Sequence, residues 1–94
     1  MTERQLQEVV EQCARLFGWE VYHTWLSARS APGFPDIIAC RASRLLAIEL
    51  KSATGKLTAS QERWLGALGG VPCCEVHVFR PLDWTEGRIE DVLR

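Results

Sequence analysis

Two apolar runs separated by Arg41-Ala42-Ser43-Arg44 decide most of what this chain can fold into. The first is Asp36-Ile37-Ile38-Ala39-Cys40; the second is Leu45-Leu46-Ala47-Ile48-Glu49-Leu50-Lys51. Each has the length of a strand, and both are rich in aliphatic residues. A hairpin turning at Ala42-Ser43 places Asp36 opposite Glu49 and Ile37 opposite Ile48. Successive strand side chains point to opposite faces. Ile38, Cys40, Leu45 and Ala47 then share one face, and Ile37, Ala39, Leu46 and Ile48 the other. Both faces are apolar, and a sheet buried on both sides needs helices on both sides. A three-layer α/β sandwich supplies them.

The remaining segments provide those helices. From Thr2 to Phe17, Leu6, Val9, Val10, Cys13, Ala14, Leu16 and Phe17 recur at helical spacing, with Thr2 placed to cap and Gly18 to stop the helix. Trp19 to Trp25 reads as a strand, Leu26 to Phe34 as a loop, and Ser52 to Leu57 as a turn around Gly55. Thr58 to Leu68 reads as a second helix, opened by the capping box Thr58-Ala59-Ser60-Gln61 and ended by Gly69-Gly70. Cys73 to Phe79 is a fourth strand closed by Pro81, and Asp83 to Leu93 a terminal helix. The expected order is α-β-β-β-α-β-α in one domain spanning residues 1–94. The third strand, second helix and fourth strand form a right-handed crossover, so the four-stranded sheet is mixed.

Composition narrows the function classes. A hydrophobic fraction of 47 % excludes a disordered chain. No apolar run reaches the length of a membrane span, and the polar start lacks a signal-peptide core, so a cytoplasmic protein is expected. A net charge of −1 excludes a strongly basic nucleic-acid coat protein but leaves room for a local patch. Arg29, Lys51, Lys56 and Arg63 are its candidates. Cys13 and Cys40 lie on apolar faces and read as buried reduced thiols. A zinc site from Cys73, Cys74 and His77 is disfavoured, because adjacent strand residues point apart and the ligand spacing is missing. His23 and His77 have no matched nucleophile nearby and read as structural. No nucleotide cofactor is implied.

Charges in the two central strands sit only at one end. Asp36 directly opposite Glu49 would hold the two Cβ atoms about 4.5–5.5 Å apart, where like charges repel. Lys51, two residues beyond Glu49, projects from the same face. A divalent cation between the carboxylates would relieve the repulsion, and this makes a hard-metal site with a lysine beside it. The alternative is that the strand ends simply meet water, with Glu49 and Lys51 as a weak surface ion pair. Stepping from Phe17 through Cys13, Val10 and Leu6 arrives at Glu3, which makes it the auxiliary acid. Gln7 shares that edge. Glu3 would equally serve to complement the positive end of its helix.

An early helical glutamate, Gly33-Phe34-Pro35-Asp36, Glu49-Leu50-Lys51 and Gln61 together resemble the VRR-NUC group of PD-(D/E)xK nucleases. The resemblance extends over nearly the whole chain. It implies a restriction-endonuclease-like fold and Mg²⁺- or Mn²⁺-dependent hydrolysis of DNA phosphodiesters. Asp36, Glu49 and the carbonyl of Leu50 would hold the metal, with Glu3 binding directly or through water. Lys51 would orient or deprotonate the attacking water, and Gln61 would lie near the site, although its capping role explains it equally. Branched DNA, a junction or flap, is the implied substrate, and a homodimer the implied assembly. Read from the residues alone, Arg29 and Ser30 are placed to contact phosphate and Lys56 and Arg63 to extend the track, although each one by itself is explained at least as well as a solvated loop charge. Two readings compete with this one: a DNA-binding module that keeps the fold without cutting, and an interaction domain whose charges are surface pairs.

Overall fold

A computed structural model describes residues 1–25 and 31–94. The central hairpin forms β2 (Ile37–Arg41) and β3 (Arg44–Leu50), paired antiparallel from Ile37–Ile48 to Arg41–Arg44 in the expected register. A two-residue turn closes it, with Ala42 at φ 53°. β1 (Glu20–His23) adds antiparallel to β2, and β4 (Cys74–Phe79) adds parallel to β3, giving the order β1-β2-β3-β4. Four helices complete the described residues: α1 (Glu3–Leu16), α2 (Ala59–Gly69), α3 (Pro81–Thr85) and α4 (Arg88–Leu93). The restriction-endonuclease-like sandwich expected from the sequence is the observed architecture.

Capping explains where the two longer helices start. Thr2 accepts from the N–H of Gln5 and Thr58 from that of Gln61, and each glutamine returns a bond to the cap backbone. These boxes satisfy amides that the first helical turn would otherwise leave unpaired. One core lies between α1, α4 and the face of the sheet bearing Ile37, Ala39, Leu46, Ile48 and Leu50, with Leu6, Val10, Ile89 and Leu93 filling it. At its far edge Trp19 is buried just before β1, and its indole N–H donates to the Leu93 carbonyl at 2.8 Å. Arg41 and Arg44 stack on that ring. β1 is therefore shorter than the expected Trp19–Trp25.

Two further expectations are corrected. The terminal helix is broken into α3 and α4, because Gly87 takes a left-handed φ of 79° between them. Cys40 is exposed rather than buried. α2 packs on β4 (Gly69 lies against Val76) and leaves the neighbouring half of that sheet face open, so Cys40 is uncovered and Ile38 only half-buried. Cys13 is buried as expected.

Candidate functional site

Each residue of Gly33-Phe34-Pro35-Asp36 is held by a different contact. Gly33 has φ 88°, and a Cβ there would lie 2.4 Å from the Ser60 carbonyl carbon at the start of α2. Only glycine meets both conditions without strain. Phe34 packs edge-on to Trp64 of α2, ring centroids 5.1 Å apart, which places Trp64 on this loop rather than in the main core. Pro35 is fully buried, and its carbonyl accepts from the Thr24 hydroxyl at 2.8 Å. The Thr24 N–H donates to the Asp36 carbonyl, also at 2.8 Å. The backbone of Asp36 is thus pinned, and its carboxylate Oδ2 accepts from the Leu50 N–H at 2.7 Å across the hairpin.

Opposite it stands Glu49, 2 % exposed, the one charged side chain buried among the described residues. Burial, followed by the hydrogen bond and charge of Asp36, pushes its carboxyl up to about 9. The Lys51 ammonium pulls the other way, and Glu3 adds to the rise. Near neutral pH Glu49 therefore keeps a proton. Its Oε2 is buried and finds no hydrogen-bond partner among the described residues. Burying an unmatched acceptor is costly, which points to a group that this oxygen is placed to bind.

Both carboxylates face a cleft of about 810 Å³ at this end of the sheet. α1 contributes Glu3, Arg4 and Gln7 to its walls, and Gln61 contributes from α2. Glu3 stands off from the pair: among the described residues no three Asp, Glu, His or Cys side chains come together as a metal cluster. Gln61 keeps its capping bond while lining the cleft, so the two roles expected of it are compatible. Lys51 is close enough to influence Glu49 but is not part of the cleft wall. Neither Lys56 nor Arg63 lines the cleft, and Arg29 and Ser30 fall outside the described residues. The cation that does line it, Arg4, was not among the expected contacts.

Trp25 was also missed. It is 71 % exposed at the cleft rim, its ring 4.3 Å from that of His23. His23 Nδ1 meets the Gln7 amide at 3.2 Å, which ties this wall to α1. A tryptophan at the end of an aromatic, β-branched run looks like a strand residue in sequence, and only the early end of β1 exposes it.

Among solved structures, one described as a VRR_NUC domain protein is similar over 99 % of this chain and 85 % of its own, with a TM-score of 0.72 and 19 % identity. The chain has the VRR-NUC fold. A second, the Holliday junction resolvase Hjc of the archaeal hyperthermophile Archaeoglobus fulgidus, is similar with a TM-score of 0.51 and 25 % identity. That likeness takes in 84 % of this chain and 65 % of the resolvase. No protein-family model matches the sequence, and no curated protein matches it. In this VRR-NUC fold the cleft lies where the Gly33–Asp36 loop, the ends of β2 and β3, and the starts of α1 and α2 converge.

Proposed function

We propose that this chain is a divalent-metal-dependent endodeoxyribonuclease of the VRR-NUC type that cuts branched DNA, junctions or flaps, as a homodimer. The observation that carries the reading is the buried Glu49 beside half-buried Asp36, its carboxyl pushed up by burial and by Asp36, with an unmatched oxygen beside an open cleft. The donors fit a hard cation: two carboxylates and the Leu50 carbonyl, all oxygen, with room for water and a phosphate oxygen. Asp36, Glu49 and Leu50 would hold Mg²⁺ or Mn²⁺, and Glu3 would reach it through water. When bound, the ion supplies charge neutralisation on the scissile phosphate and a more acidic attacking water.

The chain's own groups do the rest. To act as a ligand Glu49 would have to give up its proton, because a cation and a proton would compete for the same oxygen. Lys51 offsets phosphate charge and orients the attacking water. Gln61 accepts from Thr58 through its oxygen, leaving its amide NH₂ available to substrate. Arg4 adds positive charge on the cleft wall, and Lys56, Arg63, Arg29 and Ser30 extend the phosphate track beyond it. Trp25 supports the branched substrate in particular. An exposed indole at the rim offers a stacking surface to an unpaired base, which continuous duplex does not present.

The test is cleavage of labelled duplex, flap and four-way-junction DNA with Mg²⁺, Mn²⁺ or EDTA. Metal-dependent cutting that favours branched substrates is expected. Asp36→Ala and Lys51→Ala should each lower the single-turnover rate by about 100-fold or more while circular dichroism stays that of the wild type. DNA binding with no cutting in either metal would sink the catalytic reading and leave a binding module. Sedimentation of the same protein at micromolar concentration tests the dimer.

A further inference from the structure

Arg80 follows β4, and its side chain turns back across the sheet end to the segment after Lys51. Its Nη1 donates to the carbonyls of Ser52 and Gly55, each at 2.7 Å. The backbone of Arg80 is itself held: its N–H donates to Asp83 Oδ2 at 2.6 Å, and Pro81, which follows it, restricts Arg80 to the extended conformation it adopts. The turn needs no guanidinium to close, because the Gly55 N–H already donates to Ser52 Oγ at 2.9 Å. Arg80 contributes placement instead. A charge-assisted, planar donor fixes two carbonyls relative to the end of β4.

That placement reaches Lys51 by two routes. The Lys51 N–H donates at 3.0 Å to the carbonyl of Phe79, the residue before Arg80. The Lys51 stem also runs along the clamped turn, since a Cβ on Gly55 would lie 3.7 Å from Lys51 Cδ. We propose that Arg80 is a positioning residue for Lys51: by clamping the Ser52 and Gly55 carbonyls it fixes the wall against which the lysine stem lies. The catalytic consequence rests on the nuclease reading above; the clamp itself does not.

The experiment therefore has two arms, on Arg80→Met and Arg80→Lys beside the wild type. The chain has two lysines, Lys51 and Lys56. Metal-free protein labelled by reductive ¹³C-methylation then gives assignable side-chain signals, with Lys51→Arg identifying the relevant one. In Arg80→Met the Lys51 signal should sharpen and move toward that of a freely rotating lysine, while Arg80→Lys keeps part of the native position. In the second arm Arg80→Met should lower kcat on branched DNA by about 10- to 100-fold with KM changed less than about twofold, and Arg80→Lys should recover part of the loss. A Lys51 signal unchanged in both variants, or a raised KM with kcat intact, would overturn the proposal. If the wild type cuts no DNA, the nuclease reading fails, and the methyl signals alone decide the clamp. Thermal melts establish that each variant is folded, and Arg80→Lys carries the comparison if Arg80→Met does not fold.

Discussion

At Glu49, burial and a neighbouring carboxylate act in the same direction, and both favour the neutral acid. The folded protein keeps a proton there that the unfolded chain releases above about pH 4.5, the ordinary value for the group. Glu49's contribution to stability is therefore full below pH 4.5 and is lost as pH rises toward 9. Metal-free wild type should melt at progressively lower temperature across that range. Glu49→Gln, which keeps the shape and removes the titration, should flatten the dependence. An equal slope in both proteins would show that Glu49 does not carry the proton. The residue types at this site were legible in sequence, because charges at the end of apolar strands stand out. The burial of Glu49 was not, since alternation alone assigns a face without saying how deeply that face is covered.

Among the elements, the Gly33–Asp36 loop and α2 depend on each other. Gly33→Ala meets both a left-handed backbone and the Ser60 backbone 2.4 Å from its new Cβ. It should cost about 1–3 kcal/mol in urea denaturation and also lower cleavage, because the same loop carries Asp36. Thr58→Ala removes a cap from α2 and should cost about 1 kcal/mol by the same measurement. The bond from the residue-58 N–H to Gln61 Oε1 survives this change, so Gln61→Ala set beside Thr58→Ala tests a direct role: cleavage lost only in Gln61→Ala would assign one. Thr2 was readable as a cap and Thr58 as a Thr-x-x-Gln capping box. The Gly33–Ser60 contact was not, since it joins a loop to a helix that follows the whole hairpin.

For the molecule as a whole, a cation that binds the folded cleft and not the unfolded chain must raise stability by mass action. Mn²⁺ at 100 times its dissociation constant should add about 2.7 kcal/mol, seen as a rise in melting temperature that EDTA reverses. Asp36→Ala should abolish the rise. An Asp36→Ala protein stabilised as much as the wild type would place the cation elsewhere. No helix among the described residues is long and apolar enough to cross a membrane.

The sequence by itself determined the hairpin register, the helix starts and the opposition of Asp36 to Glu49, because alternation, capping and turn chemistry act between near neighbours. The same locality explains its misses. Cys40 was assigned to a buried face, but α2 covers that face only beside β4, and its reach is decided by packing. Arg4 and Trp25 entered the cleft through the placement of α1 and the end of β1. Arg80 reaches a carbonyl 28 residues away in the chain. Only the tertiary structure decides such contacts, because they depend on where whole elements come to rest and leave no periodic trace in the chain.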